Sequence, residues 1–314
     1  MLSYIVKRIL ALIPVLAVVA IVVFSLVHLT PGDPASVMLG PNATSDQVEA
    51  LRSEMGLDRP LVVQFFAWLG GALTGDLGYS HFMGAAVTSV LMDHLGPTLS
   101  LAILAEVVAL IIAIPAGIIA ARRRGSAVDQ GFMAFSLLGI SVPSFLLGLF
   151  LMLIFAGWLG WLPVAGYRGL EEGLGTHLRY LILPALALGA MQAALTARMT
   201  RSSMLDVFRA GYMKTALAKG VSERSRVYKH GLKNASFPIL TVVGQSIGTL
   251  IAGAAVIETV FNIPGIGQLI VNSVERRDFM VIQGVVLMIT VSYMLINLLV
   301  DILYGFLDPR VRLS

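Results

Sequence analysis

Residues 9–29, ILALIPVLAVVAIVVFSLVHL, form a run of 21 residues without a single Asp, Glu, Lys or Arg. As a helix rising 1.5 Å per residue, the run reaches about 31 Å, enough to cross the hydrocarbon core of a bilayer. Lys7 and Arg8 precede it. A secretory signal has a shorter apolar region that ends at an Ala-x-Ala-like site. Here TPGDPA follows instead, so the run reads as a retained anchor helix with a bend at Pro14. Five further stretches can span: 98–121, 132–156, 180–197, 238–260 and 281–307. The chain is 57% hydrophobic and only 13% charged, against about 25% charged in soluble domains. Spanning segments of this length satisfy their backbone groups as helices. The predicted fold class is therefore an all-α integral membrane protein with six transmembrane helices.

Proline and small residues punctuate the spans. Pro115, Pro143 and Pro184 interrupt three of them, which is tolerated where neighbours satisfy the freed carbonyls, and Pro238 is placed in the first turn of the fifth, where its missing N–H costs nothing. Ala185, Gly189, Ala193 and Ala197 recur every four positions, as do Gly244, Gly248 and Ala252. Such stripes let helices approach closely in lipid, so they are read as packing faces. The longest stretch without a span is 30–96. Within it Ser45 is expected to cap a short helix over 46–55 that Gly56 ends. Pro60 then opens an amphipathic helix carrying Leu61, Phe65, Phe66 and Leu69.

Charge sets the expected orientation. With the N-terminus inside, the cytoplasmic segments hold 16 of the 22 Lys and Arg, including Arg122 to Arg124, nine residues from Arg198 to Lys233, and Arg310 with Arg312. The outer segments hold the other 6. The positive-inside rule then places both termini in the cytoplasm, and Trp158 and Trp161 end the third span at the outer interface. The net charge of +4 thus reads as membrane topology and not as a nucleic-acid surface.

One cytoplasmic interval stands out, 206–238, DVFRAGYMKTALAKGVSERSRVYKHGLKNASFP. A helix through it would put Ala216 and Gly220 on one face, with Tyr212 and Leu217 adding apolar surface and Lys214 and Lys219 adding charge. Small residues let a second backbone come near, so the interval reads either as a docking helix or as a basic loop at the membrane surface. MKTALAKGVSER at 213–224 resembles the coupling-loop signature of ATP-binding-cassette importer permeases, summarised as Glu-Ala-Ala, three residues, Gly. Lys214 stands for the Glu and Thr215 for the first Ala, while Ala216 and Gly220 keep the pattern. That departure is typical of the oligopeptide, dipeptide and nickel branch, whose B-type permease subunit this chain resembles. TPGDP at 30–34, GLDRPLVVQFFAWL at 56–69, GDLGYS at 75–80, KHGLKNASFP at 229–238, RDFMVIQG at 277–284 and LVDILYGFLDPRVR at 299–312 extend the resemblance in order along nearly the whole chain. HFMGAAV after Tyr79 lacks the Pro often found before that Val.

The resemblance implies a binding-protein-dependent importer permease fold. It implies an anchor helix over 1–29, an extracytoplasmic segment over 30–96, and a five-helix core over 97–314 with a coupling loop at 198–237. A helix around 212–221, with Tyr212, Thr215, Ala216, Ala218, Lys219 and Gly220, would dock on a cytoplasmic ATPase. ETVFNIPGIGQL at 258–269 resembles the segment that re-enters or caps the outer mouth of the path, where Pro264, Gly265 and Gly267 break helix and expose carbonyls; the alternative is a plain outer turn. The implied partners are a second, related permease, two ATPase subunits carrying ATP and Mg, an extracytoplasmic binding protein, and the bilayer of the inner membrane. No cofactor, metal or nucleic acid is expected on this chain, and peptides are the expected cargo, with nickel or glutathione as alternatives.

Catalytic motifs are absent from the sequence. There is no G-x-x-x-x-G-K-[ST] loop and no H-E-x-x-H, and without Cys there is no thiolate nucleophile. His81, Asp93 and His94 fit no metal-ligand spacing. An enzyme is disfavoured because polar catalytic groups do not cluster. Three carboxylates remain, Glu106, Glu258 and Asp301. Glu106 lies nine residues into the second span, about 13 Å deep at helical rise. An intramembrane carboxylate defaults to function, so it is read either as a path residue, as which it would also serve a secondary transporter, or as a structural hydrogen-bonded group. Glu258, with Asn262, is placed near the outer gate, and Glu258 and Asp301 are expected to snorkel or to pair at the interface.

Overall fold

A computed structural model describes residues 2–29, 33–40 and 43–307. Thr30 to Gly32 of the TPGDP motif, and the tail with Arg310 and Arg312, lie outside the described residues, as do the side chains of Lys7, Ala252 and Asp301. The chain forms two compact units, one of Met1–Gly96 and Pro264–Leu298, the other of Pro97–Ile263 and Leu299–Leu313.

The first unit holds α1 (Leu2–Leu29), α2 (Pro34–Leu39), α3 (Ser45–Glu54) and α4 (Leu61–Thr74). A two-residue antiparallel hairpin follows, β1 (Tyr79–Ser80) with β2 (Ala85–Ala86). It leads into α5 (Val87–Arg122), whose first turns belong here. Later in the chain come α12 (Ile266–Glu275) and most of α13 (Phe279–Leu307). Pro14 sits inside α1 without ending it. The cap of α3 is Thr44, not the expected Ser45: its side chain accepts from the Gln47 N–H while Gln47 reaches back to the Thr44 N–H. The reciprocal pair requires Gln three residues on, which selects Thr44. Pro60 precedes α4 as expected. Val87 and Leu91 of α5 pack with Ile266 and Leu269 of α12 and Val281 and Val285 of α13. A Cβ on Gly284 would lie 2.6 Å from Val87, so α13 approaches α5 through a glycine. The buried Asp278 accepts a 2.5 Å bond from the Ser80 hydroxyl, tying the hairpin to the start of α13.

The second unit holds the rest of α5, then α6 (Ala127–Ser141), α7 (Ser144–Leu151) with a π-helical continuation over Met152–Trp158, and α8 (Leu174–Arg209). The short α9 (Gly211–Ala218) and α10 (Glu223–Ser225) follow, and α10 runs through a π-helical turn at Arg226–Leu232 into α11 (Lys233–Phe261). Two expectations are corrected here. The third apolar run is not one rod: α6 and α7 meet at 100°. Val142 is forced into an extended conformation ahead of Pro143, as a residue preceding proline is, whereas Pro97, Pro115 and Pro184 stay inside continuous helices. Pro238 is not in a first turn either, because helix begins upstream, so it lies inside α11. Counting the bent α6–α7 pair as one span, it joins five helices long and apolar enough to cross a bilayer individually.

Small residues set the contacts within this unit. Ala185, Gly189, Ala193 and Ala197 are all buried along α8. A Cβ on Gly189 would lie 2.5 Å from the Ala105 carbonyl, and one on Gly117 would lie 2.6 Å from Thr200. Ala105 precedes Gly117 on α5 as Gly189 precedes Thr200 on α8, so the two helices run in the same sense. Gly244 and Gly248 are buried on α11, and Gly244 faces Val300 of α13.

Candidate functional site: the loop helix after α8 and its surroundings

The interval singled out in the sequence begins where α8 stops. Ala210 turns extended, and α9 starts at Gly211 without a side-chain cap. Met213 is its one buried residue, at 4% exposure. Ala216, one turn on, is half-buried. Tyr212, Thr215, Ala218 and Lys219 are exposed, as is Leu217 at 60%. Burial of part of its ring pushes the Tyr212 phenol above its ordinary value.

Gly220 does not share a helical face with Ala216. It lies beyond the helix at φ +72°. Its N–H donates to the Leu217 carbonyl at 3.0 Å, and the Val221 N–H donates to the Ala216 carbonyl at 3.1 Å. This is the Schellman termination, in which a left-handed residue closes the last carbonyls of a helix. A Cβ on Gly220 would meet nothing within 4 Å in this chain. The Ala-x-x-x-Gly spacing therefore specifies a stop.

Met213 lines one groove with Ala121, Phe208 and Val227, and Ala121 and Val227 belong to a buried cluster. Met204 from α8, Ile118 and Ala121 from α5, Val227 from the π-helical turn, and Ala235 and Ile239 from α11 form that cluster. Gly231 brings the turn close: a Cβ there would lie 3.1 Å from Met204. Two charge pairs flank α9 in sequence. On the α8 side, Arg201 grips Asp129 of α6 with both nitrogens of one edge, Nε to Oδ1 at 2.5 Å and Nη2 to Oδ2 at 2.7 Å. The same carboxylate accepts from the Gly125 N–H at 2.9 Å, and its side chain is 5% exposed. On the α10 side, Arg122 at the end of α5 pairs with Glu223, and both remain open to solvent. Met213, Asp129 and Arg201 were not singled out in the sequence. The only signal there is Ser126-x-x-Asp129, a helix start whose acid stands beside the Arg122 to Arg124 cluster.

The residues assigned to the path fall in a different part of the fold. Glu106 is buried and accepts a 2.5 Å bond from the Ser246 hydroxyl of α11. Glu258 of α11 is fully buried, and Thr98 of α5 donates to it at 2.6 Å. Glu258 therefore does not snorkel. The two clasps are reciprocal, each helix giving one carboxyl and one hydroxyl, and their order shows α5 and α11 to be antiparallel. Asn262 ends α11 at φ +50°. The carbonyls around this corner are used: Ile263 N–H donates to Glu258 O at 2.8 Å and Gly166 N–H to Phe261 O at 2.7 Å. Phe261 is buried, and a Cβ on Gly148 would come within 2.9 Å of it. In the first unit, Pro264 is exposed while Gly265 and Gly267 are buried. Gly265 sits at the N-cap position of α12, its carbonyl accepting from Leu269, and Gly267 lies inside the helix. Gly267 does not break helix as expected, because α12 already starts at Ile266. Among the described residues no group of three His, Asp or Glu could hold a metal.

Comparison with known proteins gives concordant matches. The family model described as "Binding-protein-dependent transport system inner membrane component" matches residues 113–313, and its N-terminal companion matches residues 1–102. The chain is 44% identical to "Probable peptide ABC transporter permease protein y4tP" of Sinorhizobium fredii, over 98% of this chain and 99% of that one. It is 45% identical to "Glutathione transport system permease protein GsiC" of Shigella flexneri, over 99% of each chain. Among solved structures, an inward-facing form of the MetNI methionine ABC transporter matches with TM-score 0.59 at 18% identity, over 73% of this chain and 100% of that chain.

Proposed function

The chain belongs to the family of binding-protein-dependent transport system inner membrane components, the permease subunits of ATP-binding-cassette importers, and from that premise we propose that it carries small peptides across the cytoplasmic membrane. The permease is the non-catalytic, multi-pass membrane component, so ATP and Mg are handled on two partner ATPases. A second, related permease completes the path, since one chain offers one coupling helix. An extracytoplasmic binding protein delivers the cargo. Both termini and α9 face the cytoplasm in this reading, on the strength of the 16-to-6 division of basic residues.

The observation that carries the coupling role is the contrast between the exposed and the buried residues of α9. An exposed face of Tyr212, Thr215, Ala218 and Lys219 backs onto the buried Met213, which lines one groove with Ala121 of α5, Phe208 of α8 and Val227; Ala121 and Val227 belong to the buried cluster of α5, α8 and α11. A push on α9 would reach the spans through Ala121 and Val227, members of that cluster. Peptide cargo is supported by relatives named for peptide and for glutathione transport, glutathione being itself a tripeptide. Family membership also removes the need for a proton-driven carrier built on Glu106, which fits a hydrogen-bonded clasp instead.

The test is uptake by the reconstituted importer, with its binding protein, of labelled dipeptides, longer peptides, glutathione and nickel, each with and without ATP. Saturable, ATP-dependent uptake of one peptide class, competed by others of that class, is expected. Uptake of nickel alone would overturn the cargo assignment.

A further inference from the structure

A groove of about 650 Å³ lies between the end of α5 and the helices α9 and α10. Its lining carries Arg122, Arg123, Lys214 and Arg226, and the one acid in that lining is Glu223, which Arg122 already engages. Arg123, Lys214 and Arg226 have no ion pair among the described residues. Its lining also carries apolar Ile119, Met213 and Leu217. The groove thus combines uncompensated positive charge with hydrocarbon.

The apolar surface continues outside the groove. Ile112, Pro115 and Ile119 follow one another at three and four residues along α5, and all are exposed. Residues so spaced share one face of a helix. From Ile112 to Arg122 this stripe covers about 15 Å at helical rise, which equals one leaflet of a hydrocarbon core about 30 Å thick. It ends in the arginine pair, Arg122 and Arg123.

We propose that this groove binds the phosphate of an anionic phospholipid, whose acyl chain lies on the Ile112–Pro115–Ile119 stripe. Basic pockets at the ends of spans hold anionic headgroups by charge and by burial of the adjoining chain. A soluble anion would use the cations but gain nothing from the stripe. The inference requires only that these span ends meet a bilayer surface, so it stands independently of the coupling role of α9.

The experiment uses the complete importer, delipidated in mild detergent, with phosphatidylglycerol or phosphatidylcholine titrated in and bound lipid counted by native mass spectrometry. Phosphatidylglycerol is expected to be retained, and phosphatidylcholine is not. Arg123→Gln and Arg226→Gln should each weaken retention about fivefold, the effect of one basic side chain near a charged lipid surface. Ile119→Asn should weaken it through the stripe, and Arg124→Gln, not part of the groove lining, should leave it unchanged. Lys214→Gln, on the exposed α9, supplies a groove variant that leaves the α5 end intact should the arginine variants lose their ATPases. Equal retention of the two lipids would overturn the proposal, as would displacement of phosphatidylglycerol by inorganic phosphate. Lipid bound by the permease pair but expelled when the ATPases are added would give the groove to the ATPase and overturn it as well.

Discussion

Replacing Gly220 puts a Cβ on a residue at φ +72° whose surroundings in this chain are empty. The cost inside the chain is therefore torsional, about 1–2 kcal/mol for an L-residue held left-handed, and it is nearly the same for Ala as for Leu. Asn tolerates this conformation and is the usual substitute at a helix stop. The series Gly220→Asn, Gly220→Ala and Gly220→Leu separates two effects. With backbone torsion alone, Asn is close to wild type in substrate-stimulated ATP hydrolysis, and Ala and Leu lose equally. With an ATPase surface seated against the turn, as proposed, Leu loses far more than Ala, and ATPases co-purify poorly with it. Equal behaviour of Ala and Leu would remove Gly220 from the docking surface. Gly189 poses the opposite problem, because a Cβ there would lie 2.5 Å from a backbone carbonyl. Gly189→Ala should cost about 1–3 kcal/mol by overpacking, read as a lower melting temperature in detergent. Gly175→Ala, whose Cβ would meet nothing within 4 Å, should change little.

At the scale of elements, the two charge pairs flanking α9 have different expected strengths. Arg201–Asp129 is mostly buried, with side chains 21% and 5% exposed. Removing one partner leaves the other charge enclosed, and the loss should approach the about 3–5 kcal/mol of fully buried pairs. Arg122–Glu223 is open to solvent on both sides, and such pairs are worth about 0–1 kcal/mol. Asp129→Asn should therefore lower thermal stability sharply and Glu223→Gln barely, with high salt erasing only the second effect. Similar losses in both variants would mean that Asp129 is reached by water. Periodicity in the sequence found the spans because apolar length is a local property. It could not find the 100° bend at Pro143, since Pro115 and Pro184 carry the same residue in helices that continue. The Arg201–Asp129 pair was equally hidden, joining residues 72 apart. The α9 interval was legible in the sequence, but the Ala216–Gly220 spacing was read as a face where the backbone makes a stop.

For the whole molecule, orientation in the bilayer is set by the distribution of charge and not by the packing. The chain has no Cys, so single introduced cysteines report without background. Ser126 is a poor reporter because its hydroxyl caps α6 and bonds the Arg123 carbonyl at 2.6 Å. Arg124 and Ser222 are exposed, as is Glu172 in the loop before α8. Among the described residues Glu172 pairs with Arg168, four residues earlier and likewise exposed, so its loss should be tolerated. In right-side-out vesicles, a membrane-impermeant maleimide should label Glu172→Cys at once. Arg124→Cys and Ser222→Cys should be labelled only after the membrane is permeabilised. The physical reason is that translocating the segments rich in Lys and Arg is the least favourable arrangement of the loops. If Ser222→Cys reacts from outside in intact vesicles and Glu172→Cys does not, α9 lies on the side without ATP. The permease family would stand, and the coupling role given to Tyr212, Thr215, Ala216, Ala218, Lys219 and Gly220 would fall.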